Sequence, residues 1–266
     1  TWGKGTYEHP WVLHDAPFIS YVPFINHPER HSMSVLGVKP SPCLERGYIT
    51  FGSACDTVNL TADTLSLWAK ILLAVPGAKM LLKNQRVANI AQWAFKEYGI
   101  LANRVQYAHT EPTCEEFLYQ EIDIVLDTTP HNQLETSLNS LWMGAPVVTL
   151  AGEYATSRIG ASILSHLGHP EWIAETQEQF VNIIKMLCSD HAKLNDMRQQ
   201  LRPMLKESKL MDMTNYVQSW QAALIQMWTH WCQSPASASA HEHWSHTQAL
   251  ELCDRLLKEG QTDKAW

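Results

Sequence analysis

Two polar loops in the middle of the chain have the residue types and spacing of an anion-binding site. Each loop follows a short apolar run and precedes a helical pattern; the first covers Asp127–Gln133 and the second Gly152–Ser157. The first loop is rich in Thr, Pro, His and Asn, so it can supply hydroxyl and amide groups. A helix that starts after such a loop also presents free N–H groups and the positive end of its dipole. The expected ligand is therefore an anion such as a pyrophosphate.

A parallel sheet would place these two loops side by side. Ile122–Leu126 and Val147–Leu150 are short apolar runs, typical of strands that are buried on both faces. Apolar residues at helical spacing follow each loop, in Leu134–Trp142 and Ile159–Leu167. In open α/β sheets, ligands bind in the crevice outside the carboxyl ends of the strands. We therefore expect both loops and both helix starts at one edge of a sheet.

The same stretch resembles a known enzyme family. LDTTPHNQLETSLNSLWMGAPVVTLAG and SRIGASIL are similar to motifs in the C-terminal catalytic half of O-GlcNAc transferase and Spindly-type glycosyltransferases, the bacterial type of glycosyltransferase family 41. Three outlying stretches agree in order: ITFGS, LWAKILLAVPGAKMLLKN and LRPMLKESKLMD. The resemblance covers about residues 15–231 and implies the C-terminal half of a two-Rossmann (GT-B) enzyme, which grips the nucleotide of a nucleotide-sugar.

The rest of the chain agrees with an α/β fold built on a doubly wound, mostly parallel, Rossmann-like sheet with C-terminal helices. With the two strands above, about five strands are predicted, the others being Ile49–Gly52, Lys79–Lys83 and Arg104–Tyr107. The further predicted helices are Ala62–Ala74, Val87–Tyr98, Pro112–Gln120, Gln177–Leu187, His191–Glu207 and Met213–Trp231.

Composition divides the chain into three parts. Residues 1–46 contain six prolines and are predicted to be a linker and, by resemblance, the remnant of an N-terminal catalytic half. Residues 47–232 are the predicted Rossmann-like nucleotide-sugar-binding domain. Residues 233–266 hold the low-complexity stretch SPASASA and an amphipathic segment that resembles one helix of a tetratricopeptide (TPR) repeat, or is an ordinary C-terminal helix. The missing N-terminal half and a TPR region are therefore expected in the same polypeptide.

Charge and cysteine usage limit the partners. The net charge is −7 and no Lys/Arg cluster occurs, which argues against nucleic-acid binding through phosphate neutralisation. No apolar run has membrane-spanning length, so no membrane partner is expected. The six cysteines are scattered without a C-x-x-C pair, which favours reduced thiols and a cytoplasmic location.

Five residues match donor-binding positions that the resemblance implies. Ser53 ends the F-G-S motif, and Thr110 fits the loop before the Ile122 strand. Asn132 and Thr136 fit the family pattern N-G-x-T-T-x-x-D. Arg158 lies at the start of the last crevice-facing helix. Its guanidinium either binds a phosphate or a partner helix, or forms a structural salt bridge.

Four residues depart from the family at donor-facing positions. Asn59 stands where the family has a lysine on the donor pyrophosphate, and Glu115 where many members have a base-stacking histidine. Glu135 replaces the first threonine of the T-T pair, and Asn139 replaces a ribose-binding aspartate. These changes remove positive charge, phosphate donors or a ribose partner, which suggests loss of nucleotide chemistry.

Two orientations of Glu135 are open from the sequence. A carboxylate 4 Å from a phosphate charge costs about 1 kcal/mol in water and about 4 kcal/mol at an effective dielectric near 20. If Glu135 points inward, donor affinity falls by roughly one to three powers of ten. If it points to solvent, it simply suits the first turn of a helix.

Other chemically suggestive residues have simpler explanations. His131 lies in the first loop, as a ligand contact or as a surface residue. A second group of histidines flanks the flexible linker, so no metal site is expected there: His230, His241, His243 and His246. Three tryptophans at helical spacing are expected in the core: Trp68, Trp93 and Trp142. Asp127 is expected to cap or turn the end of its strand.

Three functions are compatible with these observations. The first is the donor-binding part of a glycosyltransferase that moves a sugar from UDP-GlcNAc, or a related nucleotide-sugar, to Ser/Thr of an acceptor protein, with no metal or other cofactor. Its catalytic residues are unknown, because the family's catalytic-half histidines fall upstream of Thr1. The second is a catalytically degenerate GT-B domain that serves as a binding or scaffold module. The third, another GT-B enzyme such as a sugar-nucleotide epimerase, would need a carboxylate and histidine set that the sequence does not show.

Overall fold

The computed structural model of the chain describes residues 16–23, 36–108 and 115–233. Two compact units divide the described residues, one up to residue 216 and one from residue 217 onward. The SPASASA stretch and the TPR-like segment lie outside the described residues. Within the described ranges, no helix is both long enough and apolar enough to cross a bilayer.

Six parallel strands form one sheet in the described part of the first unit, in the order β3-β2-β1-β4-β5-β6. They are β1 Thr50–Ser53, β2 Lys79–Leu82, β3 Val105–Tyr107, β4 Ile124–Leu126, β5 Val147–Leu150 and β6 Ile173–Ala174. From β1 the chain winds outward through β2 and β3, then returns to the other side of β1 for the remaining three strands. The predicted doubly wound parallel fold is confirmed, with one strand more than expected.

Apart from the four-residue α1, which was not predicted, the helices of the described residues follow the strands in the order that the sequence pattern predicts. They are α1 Cys43–Arg46, α2 Ala62–Ala74, α3 Gln85–Lys96, α4 Glu115–Gln120, α5 Leu134–Trp142, α6 Ile159–Leu167, α7 Gln177–Cys188, α8 His191–Glu207 and α9 Met213–Gln233. Five of them begin at a side chain that accepts a hydrogen bond from the first turn, which satisfies an otherwise unpaired N–H: Thr61, Asn84, Thr176, Asp190 and Asp212.

The core lies between the sheet and its helices, and one core prediction is wrong. Every residue of β1 and β4 is buried, as expected of central parallel strands. Trp68 and Trp142 are buried as predicted, but Trp93 is 77% exposed. The buried face of α3 carries Val87, Ala88, Ala91 and Phe95. Trp93 is two residues from Ala91, about 200° around the helix, and therefore lies on the opposite face.

A buried carboxylate, Asp123, connects two segments of the chain at the amino end of β4. Asp123 is fully buried and accepts hydrogen bonds from the backbone N–H of Thr50 (2.8 Å) and Cys43 (2.9 Å) and from the hydroxyl of Ser41 (2.7 Å). These bonds tie the segment before β1 to the start of β4. The amino edge of the sheet is thus a structural edge, and the polar loops lie at the other end.

Candidate functional site

The candidate site lies where the direction of winding changes, at the carboxyl ends of β1 and β4. These strands are neighbours, with Phe51 opposite Ile124 and Gly52 opposite Val125. Such a switch point is where open α/β sheets bind ligands. Ser53, the last residue of β1, is only 1% exposed and its hydroxyl makes no hydrogen bond of normal geometry to the described residues. The Ser53 hydroxyl lies near the Cys55 thiol. Burial raises the pKa of this thiol to about 12, and the Ser53 hydroxyl acts to lower it.

Asp127, the first residue after β4, organises the loop between β4 and α5. Its Oδ1 accepts hydrogen bonds from the backbone N–H of Thr128 (2.8 Å) and Gln133 (3.0 Å). Its Oδ2 accepts one from the hydroxyl of Thr149 in β5 (2.8 Å). The side chain is 3% exposed. The prediction that Asp127 caps the strand end is therefore confirmed.

The loop after β4 is joined directly to the start of α6. The Asn132 backbone N–H donates to the Thr156 carbonyl (3.0 Å), and the Asn132 Oδ1 accepts from the Gly160 N–H (3.2 Å). A Cβ atom on Gly160 would lie 2.4 Å from Thr149 Oγ1 and 2.7 Å from Asp127 Oδ2. Glycine is required here because the backbone of α6 approaches these side chains so closely. The two polar loops lie together at one sheet edge, as predicted.

The start of α2 is fixed to the same loop. The hydroxyls of Thr61 and Thr64 both donate to the carbonyl of Thr129, and the Thr129 N–H donates to the Thr64 hydroxyl (3.0 Å). The loop after β4 is therefore held from the β1 side as well as from the β5 side. Sequence reasoning missed both threonines, because their partner is 65 residues or more away in the chain.

At two helix starts of this edge the N-cap residue supplies no side-chain cap, and we call these starts uncapped. The N-cap residues of α5 and α6 are Gln133 and Arg158, and neither side chain makes a capping hydrogen bond. This differs from α2, α3, α7 and α8, whose first turns are capped. Such first turns leave N–H groups and a positive dipole end for a ligand, while the Gly160 N–H of α6 is already accepted by Asn132 Oδ1. An anion at this edge would meet two such starts.

The residues predicted on α5 and its loop fall into different environments. Glu135, in the first turn of α5, is exposed, which favours the solvent-facing orientation. Thr136 and Asn132 are buried, and the Asn132 amide is used within the protein, its Nδ2 donating to the Thr128 carbonyl (2.9 Å). Their ligand contacts stay predictions, while the structural use of Asn132 is established.

Asn139 has a partner that the sequence did not reveal. It is 6% exposed, and its Oδ1 accepts a hydrogen bond from the hydroxyl of Tyr21 (2.9 Å). The Tyr21 ring packs edge-on against Trp142, with ring centres 6.2 Å apart. Burial strongly raises the pKa of the Tyr21 hydroxyl, against a smaller lowering by Arg202, so it remains a hydrogen-bond donor. At the position that the resemblance assigns to ribose binding, the side-chain oxygen of Asn139 is thus hydrogen-bonded within the protein.

The remaining predicted residues lie around the rim or outside the described residues. Arg158 donates through Nη1 to the Gly152 carbonyl (2.9 Å) and so shapes the loop after β5. Asn59 is partly buried in the turn Thr57–Asn59, and its carbonyl accepts from the Thr64 hydroxyl (3.4 Å). His131 is exposed. The side chain of Glu115 and all of Thr110 lie outside the described residues.

The described residues at this edge offer oxygen and nitrogen groups for hydrogen bonding. No group of three or more His, Cys, Asp or Glu side chains there could hold a metal ion. The donor set at the edge consists of backbone N–H groups, hydroxyls and amides, which suits an oxyanion ligand.

The buried Asp127 gives the site a specific pH dependence of stability. Burial raises the pKa of this carboxyl from 3.8 to about 7, against the lowering effect of its three hydrogen bonds. Between pH 4 and 7 the folded state therefore holds a proton that the unfolded chain has lost, so the free energy of unfolding falls as the pH rises, at most by about 1.4 kcal/mol per unit. We expect Asp127→Asn to remove this slope, as measured by urea unfolding at several pH values. Parallel pH profiles for the two proteins would contradict the assignment.

Comparison with known proteins agrees with this geometry. The family model for glycosyl transferase family 41 matches residues 22–220. A probable UDP-N-acetylglucosamine–peptide N-acetylglucosaminyltransferase SPINDLY of Petunia hybrida is 30% identical over 84% of this chain and 25% of its own length. A UDP-N-acetylglucosamine–peptide N-acetylglucosaminyltransferase of Caenorhabditis elegans is 30% identical over 68% of this chain and 16% of its own length.

One solved structure supports the fold and the family. A K341M mutant of the Thermobaculum terrenum O-GlcNAc transferase is 29% identical, with a TM-score of 0.67 over 82% of this chain and 41% of that chain. This chain spans a quarter or less of the curated relatives named above. The family match covers most of the chain and includes the whole sheet with both uncapped helix starts. The chain therefore belongs to glycosyltransferase family 41.

Proposed function

We propose that this chain is the donor-binding part of a glycosyltransferase that transfers GlcNAc, or a related sugar, from UDP to Ser/Thr side chains of acceptor proteins. Family membership supports this, as do the names of the relatives, which specify UDP-N-acetylglucosamine as donor and a peptide as acceptor. The observation that carries the proposal is the pair of uncapped helix starts, α5 and α6, joined at the switch point.

The geometry supplies a physical role for these helix starts. Transfer of the sugar leaves UDP, and negative charge develops on the diphosphate as the bond to the sugar breaks. Fixed N–H groups and positive dipole ends stabilise such charge without having to reorganise. In this proposal the upstream half of the polypeptide supplies acceptor contacts and any general base, and no metal or other cofactor takes part.

A non-catalytic scaffold is the second candidate, and one observation favours it. Asn139, at the ribose-binding position of the family pattern, is committed to Tyr21 instead. A carboxylate also stands in the first turn of α5, where the pattern has threonine. A domain with these changes could keep the fold while binding donor weakly or not at all, and would then act through protein partners.

Calorimetric titration of the 266-residue chain with UDP, UDP-GlcNAc and GDP-fucose separates the two candidates. We expect UDP and UDP-GlcNAc to bind with dissociation constants in the micromolar range, about −8 kcal/mol at 1 μM, and GDP-fucose to bind much more weakly. Uridine is the control, because it lacks the diphosphate. Millimolar or undetectable binding of all three nucleotides would support the scaffold and overturn the donor-binding proposal.

A further inference from the structure

We propose that Asp127 is a positioning residue of the diphosphate site: it holds the start of α5 and the start of α6 in fixed register with one another. The inference rests on the proposed function, since the diphosphate is the ligand that would use both starts. It assigns no contact between Asp127 and the ligand.

One oxygen of Asp127 controls the start of α5. Oδ1 accepts from the N–H of Thr128, at the beginning of the loop, and of Gln133, the N-cap residue of α5. The N–H groups at both ends of the loop thus donate to the same oxygen atom. Because Gln133 is the N-cap residue, fixing its N–H fixes the direction in which the next N–H groups of the first turn point.

The other oxygen of Asp127 controls the start of α6. Oδ2 accepts a hydrogen bond from the Thr149 hydroxyl. Gly160 packs directly against Asp127 Oδ2 and Thr149 Oγ1, which leave no space for a Cβ atom. Asn132, in the Asp127 loop, also accepts the Gly160 N–H. A displacement of the carboxylate would therefore move both helix starts together.

The chemistry of Asp127 fits this role better than a packing role. A buried carboxylate loses hydration, and an apolar side chain of similar size would avoid that cost. An apolar side chain would also leave the Thr128 and Gln133 N–H groups and the Thr149 hydroxyl without this acceptor. In its ionised form the carboxyl group is acceptor-only, so its two oxygens can accept from three donors on two sides at once.

Asp123 offers a matched control at the opposite end of the same strand. It is also buried, and it also accepts two backbone N–H bonds and one hydroxyl bond. Asp123 directly precedes β4, on the amino edge of the sheet, whereas Asp127 directly follows it. Asp123 therefore lies away from both helix starts. Replacing either aspartate removes the same number of hydrogen bonds, but only Asp127 is connected to the site.

The test compares Asp127→Ala, Asp127→Asn and Asp123→Ala in two measurements at a temperature where all three are folded. For UDP binding by calorimetry, we expect Asp127→Ala to raise the dissociation constant on the order of tenfold, the effect of losing one charge-assisted hydrogen bond to the diphosphate. Asp127→Asn keeps an acceptor toward the two N–H groups and should stay within a factor of about three of the unmodified chain. Asp123→Ala should change the constant by less than about twofold.

Hydrogen exchange of the unliganded proteins tests the coupling without any ligand. We expect Asp127→Ala to speed exchange in the first turns of both α5 and α6, and Asp123→Ala to leave both turns unchanged. Faster exchange in α5 alone, or equal effects of the two alanine variants on UDP affinity, would overturn the inference. If the unmodified chain does not bind UDP, the proposed function fails while the exchange result still decides the inference. Should Asp127→Ala not fold, Thr149→Val, which removes only the Oδ2 donor, replaces it in both measurements.

Discussion

The double variant Asn59→Lys with Glu135→Thr should bind UDP about tenfold to a hundredfold more tightly than the unmodified chain. The first change adds an ammonium group to the loop after β1, at the position where the family pattern has a lysine. The second removes a carboxylate from the first turn of α5, where it opposes an anion at the helix start. Glu135 is exposed, so solvent screens its charge and the lysine should contribute more of the gain. Calorimetry with UDP gives the comparison.

Two controls separate a local effect from a change in net charge. Glu207→Thr removes an exposed carboxylate at the end of α8 and should leave UDP affinity unchanged. Uridine should bind both proteins equally, because it has no diphosphate to respond to the new charge. If the double variant gained nothing for UDP, or gained equally for uridine, our placement of the diphosphate would be wrong.

Arg198→Met should lower the free energy of unfolding by about 3–5 kcal/mol. Arg198 is fully buried on α8, and its guanidinium donates to the carbonyls of Lys39 (2.9 Å), Ile122 (2.6 Å) and Tyr119 (2.9 Å). Burial lowers its pKa to about 10, while nearby Asp123 acts to raise it. Methionine fills similar space but leaves the buried carbonyls of Ile122 and Tyr119, and the nearby Asp123, without this cation. Urea unfolding at pH 7 measures the loss.

Arg46 is the matched control for this prediction. Its guanidinium pairs with Glu121 at the surface, and its side chain is 31% exposed. Arg46→Met should therefore cost no more than about 1 kcal/mol. Neither arginine lies at the carboxyl edge, so both variants should bind UDP like the unmodified chain while folded. A loss at position 198 no larger than at position 46 would refute the structural role of Arg198.

Much of the fold follows from local pattern. The sequence pattern predicted α2 and α8 to the residue, and the apolar run Val147–Leu150 predicted β5. Strand β6 was missed because Ile173–Ala174 is two residues long and shows no periodicity. Trp93 was assigned to the core because it was read with other tryptophans, although the buried face of α3 carries Val87, Ala88, Ala91 and Phe95 instead. Burial depends on which face meets the sheet, and spacing alone does not show this.

The sequence predicted where the site lies in the fold, but it did not predict most of the contacts within it. Strand order placed both polar loops at one edge, and the turn role of Asp127 follows from its place at a strand end. The bond between Tyr21 and Asn139 joins residues 118 apart, and the orientation of Glu135 depends on how α5 packs, so neither follows from sequence. The double role of Asp127 needed coordinates for the same reason, since Thr149 and Gly160 come from later segments of the chain.

The central claim is that the uncapped starts of α5 and α6 hold a diphosphate, and amide chemical shifts during a UDP titration test it most directly. We predict that the N–H signals of Leu134, Glu135, Thr136 and Ala161 shift together with one dissociation constant, and that uridine does not reproduce these shifts. Signals at the amino edge, such as those of Thr50 and Cys43, should stay in place. Shifts confined to residues away from α5 and α6, or the same shifts with uridine, would contradict the claim.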